Sequence, residues 1–281
     1  MTTVIDCRPA ATKPSPDLKA AKSKQHAAWS SGDYAIIGST LQIVGEQLAE
    51  AMDLRAGQKV LDVAAGNGNV TLAAARRWCD VTSTDYVQAL LDQGRRRAEA
   101  DGLTVDFRTA DAEDLPFQDA SFDAVVSTFG AMFSPDQDRT ASEMLRVCRS
   151  GGKIGLANWT PAGFIGRIFK IIGKYLPPPA GMKSPLLWGT REWIELTFRG
   201  QALNILSEPR MFNFRYRSPQ HFLDFFRAYY GPMLKAFEAL DAAGQKGLAR
   251  DLIALIDEMN TAGDGTMLVA GEYLEVVITK R

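Results

Sequence analysis

The stretch Lys59–Arg77, KVLDVAAGNGNVTLAAARR, decides the fold. It opens with a short apolar segment that predicts a strand, passes through a turn holding Gly66 and Gly68, and continues into an alanine-rich helix. Glycine has no side chain and adopts positive φ readily, so backbone amides in such a turn can lie close to a ligand. The amino end of the next helix favours a carboxylate or a phosphate. The stretch therefore predicts a ligand-binding strand–turn–helix unit.

Strands and helices alternate beyond this unit. Predicted strands lie in KVLDVAA, DVTSTD, LTVDFRTAD, FDAVVSTFG and KIGLANW, with helical segments such as VQALLDQGRRRAEADG between them. This alternation indicates βαβ units. We expect an α/β fold with a Rossmann-like doubly wound sheet that is mostly parallel. The late segment EYLEVVITK predicts an antiparallel C-terminal strand.

The remaining segments divide the chain further. Helices are predicted at 19–29 and 34–52, and ALNILSEPRMFNFRYR predicts a strand and a bend. We expect a flexible N-terminal tail (1–18), a helical lead-in (19–56), a core (57–160 and 201–281) and inserted helical lid segments (161–200 and 212–265).

Composition excludes several classes of protein. The chain has 281 residues, a formal net charge of −1 and 46% hydrophobic residues, which is typical of a soluble globular protein without a nucleic-acid face. Its three cysteines (Cys7, Cys79 and Cys148) are widely spaced and it has only two histidines, so neither a disulfide framework nor a metal site is predicted. The sequence shows neither a secretory signal nor a membrane span, so we expect a cytoplasmic protein.

Acidic and aromatic residues stand where the predicted strands end, and ligands bind at such ends in open α/β sheets. Asp62 lies inside the first strand, where a carboxylate suits a cationic partner such as an ammonium. Asp85 ends the second strand, at the place where an acid binds ribose hydroxyls in dinucleotide folds. Tyr86 beside it is suited to stacking on a purine. Alternatively, the glycine turn is an ordinary one and Asp85 only caps a helix.

Two further groups follow the third and fourth strands. Asp111 and Ala112 offer a carboxylate and an amide to an adenine edge. After the small Ser127, Phe129 and Met132 form an apolar wall with their neighbour Phe133. The alternatives are a surface turn for the first group and plain core for the second.

Four runs together resemble class I S-adenosylmethionine-dependent methyltransferases: VLDVAAGNGNVTLAAA, STDYVQALLDQGRRRA, RTADAEDLPFQDASFDAVVSTFGAMF and MLRVCRSGGKIGLANW. Within that family they are most similar to the group with ubiquinone/menaquinone-type and small-molecule methyltransferases. The resemblance implies S-adenosyl-L-methionine as cofactor. It implies binding residues at the methionine portion (Asp62, Ala64, Gly66, Asn67, Gly68 and Ser127), the ribose (Asp85), the adenine (Tyr86, Asp111, Ala112 and Glu113) and the apolar wall (Phe129 and Met132), with Tyr34 closing the site and Trp29 behind it.

The turn departs from the family pattern at one position. The usual pattern is acid-x-Gly-x-Gly-x-Gly, and Ala64 stands at its first glycine. Alanine adds one methyl group, which is tolerated if φ is negative there.

The resemblance implies direct displacement of the methyl group toward a hydrophobic or aromatic small-molecule acceptor. His221 is the candidate base, and the alternative is a surface histidine near a helix start. The acceptor pocket is expected from aromatic lid residues, namely Phe164, Phe169, Tyr175, Trp188, Trp193, Phe225, Tyr229 and Tyr230. Glu143 and the basic run QGRRRAEA are expected on solvated helix faces.

Two other functions stay open at this point. An NAD-type dehydrogenase would use the same strand–turn–helix, although Thr71 stands where its third glycine is expected. A non-catalytic S-adenosylmethionine-binding protein would need no base. The sequence leaves open the acceptor, the methylated atom (C, O or N) and whether the chain forms a homodimer.

Overall fold

A seven-stranded sheet organises the protein. The computed structural model describes residues 17–281, so predictions for residues 1–16, including Cys7, lie outside the described part. The strands are β1 (Lys59–Val63), β2 (Asp80–Asp85), β3 (Asp106–Thr109), β4 (Phe122–Thr128), β5 (Cys148–Trp159), β6 (Ala202–Tyr216) and β7 (Met267–Lys280). Their order is β3-β2-β1-β4-β5-β7-β6.

The pairing confirms the predicted fold class. Strands β1 to β5 pair in parallel, and β7 lies antiparallel between β5 and β6. Strand β1 is flanked by β2 on one side and β4 on the other, so the strand order reverses at β1. The crevice beyond the carboxyl ends of β1 and β4 is where ligands bind in such sheets.

Eleven helices surround the sheet in residues 17–281. They are α1 (Leu18–Trp29), α2 (Tyr34–Gly38), α3 (Gln42–Ala51), α4 (Asn69–Arg76), α5 (Gln88–Ala100), α6 (Gln137–Val147), α7 (Phe164–Tyr175), α8 (Arg191–Phe198), α9 (Pro219–Tyr229), α10 (Gly231–Glu238) and α11 (Ala242–Met259). None of these described helices is both long and apolar enough to cross a membrane.

The helix predicted over 34–52 is interrupted. A short 3-10 turn, Ser39–Leu41, separates α2 from α3. Ser39 and Thr40 donate their hydroxyls to the carbonyls of Ile36 and Ile37, 3.0 and 2.7 Å away. Such local side-chain bonds compete with helical ones, which accounts for the break.

Strand β6 is longer than predicted. It pairs with β7 along its whole length, from Ala202 opposite Lys280 to Tyr216 opposite Met267, instead of bending. Pro209 is tolerated because β6 lies at the edge of the sheet. The predicted lid boundary at 212 therefore falls inside a strand, while the division into core and lid stays a prediction.

Glu143 is not on a solvated face. Its side chain is 2% exposed, it lies 2.6 Å from Arg146 Nη2, and it accepts the Leu115 amide at 2.9 Å. The paired arginine is the main cause that holds the Glu143 pKa below its usual value. The expectation of a solvated face was wrong, because the local sequence pattern of α6 does not show that the loop at Leu115 covers Glu143.

The alanine-rich character of α4 has a packing reason. Helix α3 lies so close to α4 that a Cβ at Gly45 would be 2.7 Å from the Asn69 backbone carbonyl. Ala73 and Ala74 of α4 are fully buried in the same layer. The position of α4 places its amino end, and hence the preceding turn, against the crevice.

We predict that Gly45→Ala lowers the free energy of unfolding by about 1–2 kcal/mol, because the clash with backbone outweighs alanine's better helix propensity. Gly173→Ala in α7 is the matched control. A Cβ there meets nothing within 4 Å, so about 0.5–1 kcal/mol of stabilisation is expected. Urea unfolding of both variants measures this, and equal shifts would contradict the close α3–α4 contact.

Candidate functional site

A cavity, termed the polar cavity here, opens at the carboxyl ends of the central strands. Most residues predicted for the site line it, namely Tyr34, Ala64, Gly66, Asn67, Asp85, Tyr86, Asp111, Ala112, Glu113 and Phe129. The structure thus brings together residues from the ends of β1, β2, β3 and β4 and from α2.

The turn after β1 has an unusual backbone. Ala64, Gly66 and Gly68 have φ values of +52°, +57° and +84°. The condition of a negative φ at Ala64 is therefore not met, and this alanine carries left-handed strain of about 1–2 kcal/mol. The opposing residue makes room for it, since a Cβ at Gly130 would lie 2.0 Å from the Ala64 carbonyl oxygen. The strained conformation leaves backbone facing the cavity.

Asp85 joins two of the strand ends. One carboxylate oxygen accepts the Gly66 amide at 2.9 Å and the other accepts the Val87 amide at 2.8 Å. Burial raises the pKa of Asp85 to about 6. A carboxylate offers about four lone-pair sites, so acceptor capacity is left for hydroxyl groups in the cavity. Capping and ligand binding are thus compatible at this residue.

Asp62, predicted near the cofactor's ammonium, lies beneath the turn and does not line the cavity wall. It is fully buried, and one oxygen accepts the Thr71 amide at 3.0 Å and the Thr71 hydroxyl at 2.5 Å. Its other oxygen has no partner among the described residues. Burial raises the pKa of Asp62 to about 7. In this structure Asp62 holds the first turn of α4 in place, with Thr71 at the position where a dehydrogenase would carry glycine.

Three further predicted residues also lie off the wall. Gly68 caps α4 in a left-handed conformation. Ser127 donates to the Val63 carbonyl at 2.7 Å and accepts the Ala131 amide at 3.0 Å, tying the end of β4 to β1. Met132 is fully buried in the core. These side chains support the cavity from behind instead of facing it.

Helix α1 closes one end of the polar cavity with a cation that sequence reasoning missed. Lys22 Nζ lies 2.5 Å from Asp111 and also pairs with Glu113. His26 on the same helix meets the Tyr86 ring edge-on, with centroids 5.2 Å apart. No local sequence signal joins Lys22 to acids about ninety residues away.

A second missed residue, Arg97, supports the turn. Its Nη1 donates to the Asn67 carbonyl at 2.7 Å and to Asn69 Oδ1 at 3.0 Å. The two asparagine amides in turn donate to the carbonyls of Ala35 and Gly38 at the start and end of α2. The basic run in α5 is therefore not wholly a solvated face, and the turn is tied to the helix that carries Tyr34.

A neighbouring cavity, termed the apolar cavity, shares the wall residues Trp29, Tyr34, Phe129 and Phe133 with the polar cavity. Phe129 has a φ of +60° and stacks on Trp159 with ring centroids 4.0 Å apart. The rest of the wall is Ile37, Leu41, Trp159, Ile165, Ile168, Phe169, Phe214, Phe226, Tyr230 and Met233. The shared aromatic rings thus separate an acid-lined space from an apolar one.

Only two of the predicted lid aromatics line the apolar cavity, Phe169 and Tyr230. Phe164, Trp188 and Trp193 are buried in the core. Tyr175, Phe225 and Tyr229 are partly buried against that core. Most of these aromatic residues therefore build the helical layer itself.

His221 lies away from both cavities. It is in the first turn of α9, where Ser218 caps its amide at 3.1 Å, and its Nδ1 accepts the Arg217 amide at 3.2 Å. It borders an open surface depression with Arg215 and Asp264. The structure therefore gives no support to the predicted role as base. His221 was chosen by residue type, and its fold position was not visible in the sequence.

Among residues 17–281, no group of three or more His, Cys, Asp or Glu is arranged to hold a metal ion. The acids of the polar cavity are instead paired with Lys22 or with backbone amides.

Comparisons with known proteins find similar chains. A family model described as a methyltransferase domain matches residues 60–152. An uncharacterized protein of Mycobacterium tuberculosis is 39% identical over 230 residues, covering 81% of this chain and 84% of that protein. Demethylmenaquinone methyltransferase of Clavibacter sepedonicus is 34% identical over 155 residues, covering 53% of this chain and 63% of that enzyme.

A solved structure extends the likeness to the fold. A putative methyltransferase from Bacillus halodurans superposes with a TM-score of 0.58 at 19% identity, covering 83% of this chain and 97% of that chain. At that identity, the likeness concerns the fold alone.

We predict that Asp62→Asn changes how stability depends on pH. The folded-state pKa of about 7 lies above the unfolded value of about 3.9. The folded protein therefore binds more protons in between, and wild-type stability falls as pH rises from about 4 to about 7. Because the variant lacks this titration, its stability relative to wild type should rise by about 3 kcal/mol over that interval. Urea unfolding at several pH values measures it, and a pH-independent difference would contradict the prediction.

Proposed function

The chain belongs to the class I S-adenosylmethionine-dependent methyltransferases, and on that premise we propose that it methylates a hydrophobic or aromatic small molecule by direct displacement. The observation that supports this proposal most is the pair of cavities divided by shared aromatic rings. The polar cavity has the acids and open backbone suited to a nucleoside and an amino acid. The apolar cavity beside it has no charged side chain in its wall.

The residues of the polar cavity fit the cofactor of this family. Asp85 would bind the ribose hydroxyls with its remaining lone pairs, and Tyr86 would pack on the adenine. Asp111 and Ala112 would lie at the adenine edge. The backbone around Gly66 would approach the methionine portion, because no side chain stands there.

When bound, S-adenosylmethionine supplies a methyl group attached to a sulfonium sulfur, and that sulfur is the leaving group and becomes a neutral thioether. The chain's own contribution is alignment of the acceptor and exclusion of water. Trp29, Tyr34, Phe129 and Phe133 stand between the two cavities and would orient the acceptor toward the cofactor side.

The apolar cavity offers no group suited to act as a base at neutral pH. Its wall holds no carboxylate, imidazole, amine or thiol. Burial raises the pKa of Tyr34 to about 12 and that of Tyr230 higher still. We therefore propose that any proton lost by the acceptor is not taken by a side chain of this wall before methyl transfer.

The alternatives differ in support. A dehydrogenase is not favoured, since the matching family model is a methyltransferase domain. A non-catalytic cofactor-binding protein stays a second candidate, because the apolar cavity carries no acid–base residue.

We predict that Asp85→Asn weakens binding of S-adenosylhomocysteine by about 1–3 kcal/mol, the usual value of hydrogen bonds to a charged group. Asp80→Asn is the matched control, because Asp80 lies exposed at the other end of the same strand. Titration calorimetry on folded variants measures both. Equal affinity in wild type and Asp85→Asn would contradict the ribose assignment.

Catalysis is tested separately by methyl transfer. Incubation of the protein and methyl-labelled cofactor with a lipophilic extract of small molecules should label organic-soluble products, and Asp85→Asn should reduce the yield at limiting cofactor. Tight cofactor binding without any labelled product would favour the non-catalytic alternative.

A further inference from the structure

The wall of the apolar cavity has few polar groups. The wall is otherwise hydrocarbon and aromatic ring, and it carries only two hydroxyl groups, those of Tyr34 and Tyr230, besides the indoles of Trp29 and Trp159. Charged ligands lose their hydration in such a space without gaining a counter-ion. The wall therefore favours an uncharged ligand.

Tyr34 and Tyr230 lie next to each other, and both pack against Trp29 of the wall that the two cavities share. Their ring centroids are 6.2 Å apart. Tyr34 also packs over the bare turn, since a Cβ at Gly66 would lie 3.5 Å from its ring. Tyr34 is thus the neighbour of the polar cavity, while Tyr230 lines the apolar cavity alone.

Within residues 17–281, neither hydroxyl forms a hydrogen bond, and both tyrosine hydroxyls are buried, which raises their pKa. Burying a hydroxyl without a partner costs free energy, which a ligand oxygen at hydrogen-bonding distance would recover. Both groups stay protonated at neutral pH, so each is able to donate as well as accept.

We propose that the apolar cavity binds an uncharged ring compound with one hydroxyl or carbonyl oxygen, and that the Tyr230 hydroxyl holds this oxygen at the end facing the cofactor. This inference rests on the proposed function, because the bound ring compound is taken to be the methyl acceptor. The inference itself concerns binding alone. It makes Tyr230 a specificity-determining residue for the acceptor. The shared aromatic wall would position the ring.

The nearest competing ligand is an organic cation, because aromatic faces attract cations. The aliphatic residues Ile37, Leu41, Ile165, Ile168 and Met233 interrupt the aromatic wall, and no carboxylate balances a positive charge there. The structure thus favours the neutral ligand, and the cation becomes an arm of the test.

Four naphthalene probes of similar size distinguish these cases: 2-naphthol, naphthalene, 2-naphthoate and 2-naphthyltrimethylammonium. Binding to the full chain is measured by tryptophan fluorescence quenching, with and without saturating S-adenosylhomocysteine. We expect 2-naphthol to bind about fivefold to tenfold more tightly than naphthalene, the effect of one neutral hydrogen bond. Both charged probes should bind more weakly than naphthalene.

Tyr230→Phe should reduce the affinity for 2-naphthol to that for naphthalene, while affinities for naphthalene and for S-adenosylhomocysteine stay unchanged. Tyr229→Phe is the matched control, since Tyr229 precedes Tyr230 and lines neither cavity. It should leave all four probe affinities unchanged.

Three outcomes would overturn the proposal: equal binding of naphthol and naphthalene by wild type, tightest binding of a charged probe, or an equal loss of all ligands in Tyr230→Phe. Failure of wild type to bind S-adenosylhomocysteine would instead contradict the proposed function. The titrations without S-adenosylhomocysteine would still show which of the four probes the apolar cavity binds most tightly.

Discussion

The site depends on the buried carboxylate of Asp85. By accepting the amides of Gly66 and Val87, it fixes the turns after β1 and β2 against each other where the strand order reverses. The same carboxylate keeps lone pairs for a ligand. Its raised pKa, about 6, is the result of placing this anion in a buried position. The structural role of Asp85 and its proposed binding role thus belong to one side chain.

Backbone strain is concentrated around this point. Ala64 and Phe129, at the ends of the adjacent strands β1 and β4, both have positive φ. Ala64 faces Gly130, and Phe129 is held by stacking on Trp159. Residues in such conformations persist only where surrounding contacts determine them, and they are frequent at functional sites. Here the strain turns one strand end toward the polar cavity and brings an aromatic ring between the two cavities.

The sequence predicted what depends on local pattern and chain position. Alternation gave the sheet, and residues directly after strands, such as Asp85, Tyr86 and Asp111, line the polar cavity because parallel strand ends meet at one edge. Long-range contacts were not predictable, as with Lys22. His221 lies away from both cavities, which the sequence did not show because a residue type without a fold position carries little information. The backbone conformation of Ala64 was likewise set by a neighbour distant in sequence.

A crystal structure with bound S-adenosylhomocysteine tests the central claim most directly. The account predicts that the ribose hydroxyls lie within hydrogen-bonding distance of Asp85 and that the sulfur faces the wall shared by Trp29, Tyr34, Phe129 and Phe133. Beyond that wall, the apolar cavity should stay open to an acceptor. A ligand whose ribose makes no contact with Asp85, or whose sulfur points away from the apolar cavity, would contradict it.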